Sequence, residues 1–483
     1  MLRMTWVQPE DLLGHELRQA AQDGRSPATV AAVAARWRAA GGPQAPDRSG
    51  ASPAPVSRYL RTLAEDLLDE LAELPSPLAD AEPTELDRIR ALCPDWPAPS
   101  AAPSAAAGAV PPAARLEAAW LGRAAGCLLG KPVEKLPLDG IRALARATGN
   151  WPLTTWFTAR GLPAELAAAH PWNRRSAPTS LAENIDGMPE DDDLDFALLG
   201  LLLLHRHGRS FTTDDVARLW LDELPAGRLF TAERVAYRNL LSGVEPPRTA
   251  RHRNPFREWI GALIRADVHG WTNPGDPGAA AAQAHRDAVL SHTGSGVHAA
   301  MFAAAVIAAA AGGGRDVHGC LRAGLAVVPP SSRLARAVRH AVRLAREHAG
   351  DAAAFEPVVD ALHAEHARYH WVHAVPNTAL IAAALTHADG DFTGSVCRAV
   401  SGGWDTDSNG ATAGSVAGLL AGSPEALPER WTAPLRNRLA TTVAGFDGVG
   451  FDALGRTTAH LCSPGPRQDQ ARPARTVLET ATS

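Results

Sequence analysis

Two acidic clusters are the residues of this 483-residue chain whose types and spacing suit chemistry. Residues 190–195 read EDDDLD, five acids in six positions, and run directly into the apolar FALLGLLLL. A helix N-terminus stabilises one or two carboxylates by about 0.3–1 kcal/mol each. Three adjacent aspartates, Asp191, Asp192 and Asp193, exceed that benefit. Packed against a core they need a counter-charge, and a hard divalent cation such as magnesium or manganese supplies one. Taken alone, the run is closer to an acidic cap in a solvated loop. The second cluster reverses that judgement. Residues 401–422 read SGGWDTDSNGATAGSVAGLLAG, where Asp405, Asp407 and Ser408 offer only oxygen ligands. Alternating carboxylates in a glycine-rich turn can converge on one or two metals, and the glycines permit close approach of backbone to ligand.

The remaining candidates for metal chemistry are weaker. His363, His366, His370 and His373 recur at three-four-three spacing, which puts all four near one helical face. Without a nearby cysteine this favours a polar helix face over a zinc site. Five cysteines lie far apart with no CxxC pair, so neither a zinc knuckle nor a disulfide framework is expected, and reduced thiols fit a cytoplasmic protein. A net charge of -5 gives no general attraction to nucleic acid or to an anionic membrane. The opening MLRMTWVQPEDLL turns polar before a signal-peptide core forms, so no export is expected. The most apolar stretch, 299–311, is too short for the roughly 20 residues of a membrane span and reads as a buried helix.

The elements that must position the clusters are helical. Alanine, leucine, glycine and proline dominate while aromatics make up 5%, a mixture poor in the residues that strands prefer. Residues 1–98 form a helical extension, with leucines at three and four residue spacing over 58–74. A Pro/Ala/Ser linker follows over 99–114. From 115 to 462 helical runs alternate with short breaks, at 116–129, 196–205, 214–221, 255–267, 279–290, 296–311, 332–348, 357–370, 378–386 and 411–420. Residues 463–483 read as a disordered tail. Gly410, Gly414, Gly418 and Gly422 recur every four residues and put a glycine stripe on one face of the last of these helices. Each glycine costs about 1 kcal/mol relative to alanine in a helix interior, so tight packing against a neighbour is the expected compensation.

In this order, and each leading into an apolar helix, the two clusters resemble those of the ADP-ribosylglycohydrolase family, which includes dinitrogenase reductase-activating glycohydrolases, ADP-ribosylhydrolases and J1 crystallins. The resemblance begins with AWLGRAAGCLLGKPVEK, continues through MPEDDDLDFALLGLLLL and LSHTGSGVHAAMFAAA, and ends after VPNTAL and GGWDTDSNGATAGS. It implies an all-α orthogonal helical bundle with two Mg2+ or Mn2+ ions at the base of a cleft. The implied metal ligands are Asp191, Asp192, Asp193, Asp405, Asp407 and Ser408. Asp191 departs from the usual hydroxyl residue and adds charge, Ser408 stands where threonine is common, and Cys127 stands where many members carry aspartate. Glu134, in GKPVEK, matches a flap glutamate that reaches the metals in relatives. His292 in SHTGSG resembles a nucleotide-contacting histidine, with Thr293, Gly294 and Ser295 offering backbone N–H groups at a helix start. His373, Asn377 and Trp404 are implied to line the cleft.

The resemblance further implies hydrolysis of a ribosyl bond, with Asp192 or Asp193 accepting a proton from water and Glu134 positioning it. The expected activity is release of ADP-ribose from an N- or O-linked ADP-ribosylated protein. A small ribosylated or nucleotide-linked metabolite is the alternative substrate, since the Trp/Arg-rich stretch 151–175 is placed to reshape the pocket. A catalytically silent crystallin-like protein is the third reading, and the intact oxygen-ligand set argues against it.

Overall fold

The computed structural model describes residues 3–44, 50–52, 54–98 and 111–462. Residues 99–110 of the expected linker and the whole of the expected tail, 463–483, lie outside the described residues. The linker's last two positions, Ala113 and Ala114, instead open a helix. Among the described residues there are 22 α-helices and no strand, only isolated bridges such as Trp259 with His373. The alanine- and leucine-rich composition therefore yields the all-α fold expected from it.

Two buried helices form the spine. Ala113–Gly130 and Thr406–Ala421 run antiparallel at backbone contact. A Cβ on Gly126 would stand 1.9 Å from the carbonyl oxygen of Gly410, one on Gly122 2.2 Å from that of Gly414, and one on Gly130 2.3 Å from the amide nitrogen of Asp407. Glycine is required on both helices because no side chain fits between them. The expected stripe holds at Gly410, Gly414 and Gly418, whereas Gly422 lies past the helix end with φ +88. The matching stripe at Gly122, Gly126 and Gly130 completes the contact. The Thr406 hydroxyl locks the end nearest the acids by donating to the Gly130 carbonyl at 2.8 Å.

Helix Gly294–Ala311, every residue of it buried, fills the centre beside Pro277–Ala288 and Val317–Ala326. It is the one described helix long and apolar enough to cross a membrane, and it lies wholly inside the bundle. Two expected helices differ. Over 255–267 the chain forms a 3-10 segment, Ile260–Arg265, because its backbone pairs with residues 372–374 rather than with itself: Ile260 N–H donates to the Val372 carbonyl at 2.9 Å and Ala374 N–H to that of Glu258 at 3.0 Å. Glu356–His366 stops four residues short, so His370 and His373 leave the helical face on which spacing placed them. His373 instead caps Ala374–His387, its Nδ1 accepting from Val375 N–H.

The N-terminal extension docks on this bundle through buried charge. Arg257 donates to Glu16 at 2.6 Å and to Asp23 at 2.9 Å, while Arg333 joins Glu82 at 2.6 Å to Glu258 at 2.9 Å. Gln19 also donates to Glu258, at 2.9 Å. His15 lies in a box of rings made by Trp6, Phe256, Trp259 and His370. Burial, with Arg18 adding to it, pushes its pKa down to about 3.

The close helix contact predicts that Gly126→Ala lowers unfolding stability by about 3 kcal/mol or more, an overpacking effect, whereas Gly227→Ala, where a Cβ meets nothing within 4 Å, changes little. Denaturant titration of the two variants checks this. Because His15 is depressed in the folded state, its contribution is complete above the unfolded pKa of 6.5 and is lost as pH falls from there toward 3. Between pH 7 and pH 5 the loss amounts to about 2 kcal/mol, and His15→Phe is expected to remove that part of the acid sensitivity in urea titrations at the two pH values.

Candidate active site

Both acidic clusters occupy helix N-termini, and both open on one cleft of about 510 Å3. Asp191 is the N-cap of Asp192–His207, its side chain accepting from Asp193 N–H at 3.0 Å, and Asp192 and Asp193 follow in the first turn. Asp405 precedes Thr406–Ala421, and Asp407 lies in its first turn. The glycine-rich segment is thus a helix start rather than a turn. Gly403 and Trp404 both have positive φ, +76 and +57, which reverses the chain just before Asp405. Asn377 braces that reversal, its Oδ1 accepting from Asp405 N–H at 3.1 Å and from Asn409 Nδ2 at 2.7 Å.

Of the sequence-predicted residues, Glu134, Asp191, Asp192, Asp193, Asp405, Asp407 and Ser408 all line this cleft. Their donor atoms form two groups. Glu134, Asp405 and Asp407 bring carboxylate oxygens within 4.8 Å of one another, and Cys127, Asp191 and Asp193 form the second group. Burial raises the Asp405 carboxyl well above the usual range, and neighbouring Asp407 and Glu134 add to it. Burial likewise lifts Asp407 to about 7, helped by Glu134 and Asp191. Carboxylates crowded this way, with oxygen donors alone, fit a hard divalent cation. In the other group burial holds the Cys127 thiol protonated, with Asp191 and Asp193 pushing further in that direction. A neutral sulfur is a poor donor to such an ion, which leaves the aspartates as the ligands on that side.

The sequence reading missed Lys131, although it stands in the same GKPVEK segment as Glu134. Its buried ammonium pairs with the Asp191 carboxylate and donates to the Glu190 carbonyl at 3.3 Å. Burial raises the Asp191 pKa, but the Lys131 charge outweighs it and leaves the carboxyl below its ordinary value. The expectation that Asp191 adds charge to the site is therefore corrected: Lys131 cancels the extra carboxylate. Asp193 is held by Arg123, which is fully buried, donates to its backbone carbonyl at 2.7 Å and pairs with Asp267 at 2.9 Å. Asp192 is the least enclosed of the three aspartates. Glu134 is steadied by Asn173 at 2.7 Å, which comes from the stretch expected to reshape the pocket, and by Lys135 at 2.8 Å.

The structure places the other substrate-contact candidates outside the lining of this cleft. His292 is enclosed beside Ser291 and does not itself line the cleft, standing 3.9 Å from Glu233, which does. The helix start after it is already filled. Gly294 N–H donates to the Thr84 hydroxyl of the extension and Ser295 N–H to Glu258, while Thr293 and Gly294 line a separate cavity of about 260 Å3. His373 is buried 3.5 Å from Glu258, and Asn377 acts behind the acids rather than among the lining residues. The Trp404 ring stacks on His363 at 4.0 Å instead of facing the cleft. The four histidines do not converge. His363 bonds the Gly402 carbonyl and His370 stacks on Trp259, so they make separate contacts instead of sharing the polar helix face expected of them.

Because Lys131 offsets one carboxylate, Lys131→Met is expected to tighten Mn2+ binding roughly tenfold, about 1.4 kcal/mol of unscreened attraction, while lowering the melting temperature of the metal-free protein. Calorimetric titration with manganese reads the first effect, and an unchanged or weaker affinity would refute the compensation.

Known proteins provide an independent comparison. No curated protein matches this chain. A solved structure described as an ADP-ribosylglycohydrolase-related protein complex is similar at 21% identity over 72% of this chain and 97% of that one, with a TM-score of 0.44. The sequence profile of the family described as ADP-ribosylglycohydrolase matches residues 109–458, most of the chain and every acid of the cleft. The chain belongs to the ADP-ribosylglycohydrolase family.

Proposed function

We propose that this member is a metal-dependent hydrolase that cleaves an N- or O-linked ADP-ribosyl bond and releases ADP-ribose. The observation that carries the reading is the convergence of Glu134, Asp191, Asp192, Asp193, Asp405, Asp407 and Ser408 on one cleft that aromatic rings also line. Two Mg2+ or Mn2+ ions are the proposed cofactors, with Glu134, Asp405, Asp407 and Ser408 holding one and the aspartates 191–193 the other. Such ions, when bound, supply positive charge that orients ribose hydroxyls and makes water more acidic.

The protein's own residues divide the remaining work. Asp193 is committed to Arg123 and Asp191 to Lys131, which leaves Asp192 the carboxylate best placed to accept a proton from water. Glu134, held by Asn173, positions that water or the ribose at the cleft edge. Departure of the leaving group passes through an oxocarbenium-like state, and the ring of carboxylates is suited to stabilising its positive charge.

The substrate proposed first is an ADP-ribosylated protein. A small ribosylated metabolite is the second reading, favoured by the extension residues Thr5 and Trp6 that wall one side of the cleft. The five cysteines are free and buried, which supports the proposed cytoplasmic setting. A panel of N-linked and O-linked ADP-ribosyl peptides and small ribosylated metabolites, followed by chromatography of free ADP-ribose, distinguishes the substrates. Activity is expected with manganese, to disappear on chelation and to return on adding metal back. Asp407→Asn is expected to cost roughly a thousandfold in kcat/KM, about 4 kcal/mol. Absence of turnover across the panel with manganese present would overturn the reading.

A further inference from the structure

The family match begins at residue 109, yet the cleft does not. Thr5, Trp6 and Gly50 of the N-terminal extension line the same cavity as the six carboxylates. Trp6 is fixed there by several independent contacts. Its backbone adopts a left-handed conformation, φ +65, and its N–H donates to the Gly50 carbonyl at 2.6 Å. Its indole meets Phe256 edge-on at 5.4 Å and Trp259 at 6.1 Å. A Cβ on Gly50 would stand 2.3 Å from the indole, so glycine there leaves room for the ring. On the other side of Trp6, Arg234 of the catalytic domain binds the Thr5 carbonyl at 3.2 Å and hydroxyl at 2.5 Å, and Arg238 donates to the Val7 carbonyl at 3.2 Å. Arg3 ties the segment back to Glu10 and Asp11 at 2.7 and 3.0 Å. A strand of chain held this firmly at the mouth of a cleft is a wall of it.

The rings of Trp6, Phe230, Trp259 and Trp371 line the same cleft as the carboxylates and Ser408. A ligand matched to this lining carries both a polyol and a flat aromatic group. Base-on-aromatic stacking rewards such a group.

We propose that the N-terminal extension is part of the active site and that Trp6 supplies a stacking face for the nucleobase of the substrate, which makes the enzyme selective for ribosyl compounds that carry a base. This rests on the ADP-ribosyl reading above and adds to it a binding residue from outside the family domain. The full-length protein with manganese is titrated calorimetrically with ADP-ribose as the probe. Trp6→Leu, which keeps apolar packing and removes the π face, is expected to weaken ADP-ribose binding roughly ten- to a hundredfold. Its manganese affinity is expected to stay at the wild-type value while its melting temperature falls modestly from lost packing, and Trp6→Phe to restore most of the lost ADP-ribose affinity. Equal binding by wild type and Trp6→Leu would overturn the inference while leaving the ADP-ribosyl reading intact. A parallel loss of manganese affinity would reduce Trp6 to a packing residue and overturn it as well. Absence of ADP-ribose binding by wild-type protein would overturn the underlying reading and the inference with it.

Discussion

Backbone contact between Ala113–Gly130 and Thr406–Ala421 is the constraint from which the site follows. The two helices are separated by nothing larger than hydrogen at Gly122, Gly126, Gly410 and Gly414. This closeness puts the end of one helix, with Lys131 and Glu134 just beyond it, against the start of the other, with Asp405 and Asp407. Any side chain at the contact would push apart the two segments that hold the acids. The intrinsic helical cost of the glycines, about 1 kcal/mol each, is offset by packing that reaches backbone atoms on both sides.

Concentrated negative charge is the second constraint, and the fold meets it with cations placed behind the cleft. Arg123 spans Asp193 and Asp267 from within the core, and Lys131 neutralises Asp191. Both lie on or directly after the glycine-faced helix, so one element supplies the close contact and the charge compensation. Among the described residues, Asp192, Asp405 and Asp407 line the cleft with no paired cation of their own, and Asp405 and Asp407 belong to a group that could hold a metal ion. The same economy governs the extension. Its acids Glu16, Asp23 and Glu82 meet Arg257 and Arg333, pairs whose disruption leaves a buried charge uncompensated and typically costs about 3–5 kcal/mol. The described residues of the extension are therefore bound to the bundle rather than appended to it, and Glu258, where several of these contacts meet, also fills the helix start at Ser295.

Some of this architecture is legible from residue order alone. Asp191, Asp192, Asp193, Asp405, Asp407 and Ser408 stand out because runs of acid directly before apolar helices have few inexpensive explanations, and two such runs in one chain support each other. Helical content follows from alanine and leucine with few aromatics, and the stripe at Gly410, Gly414 and Gly418 follows from four-residue spacing. Gly122, Gly126 and Gly130 carry the same signal and predict the partner helix. Their value appears only when the two stripes are compared.

What tertiary structure alone decided are the relations between residues distant in sequence. The pairing of Lys131 with Asp191 spans sixty positions, and no local period announces that an ammonium will cancel the extra acid. His373 and Trp404 sit in promising motifs, yet their directions are set by Glu258 and His363, neither of them a local neighbour. Trp6 reads as an ordinary apolar residue near the chain start and becomes a cleft wall only because buried ion pairs fold its segment over the bundle. Sequence determined the donor types and the helical elements that carry them, since both are local properties of side chains and spacing. Orientation, charge compensation and the shape of the cleft depend on three-dimensional proximity, which spacing along one chain does not encode.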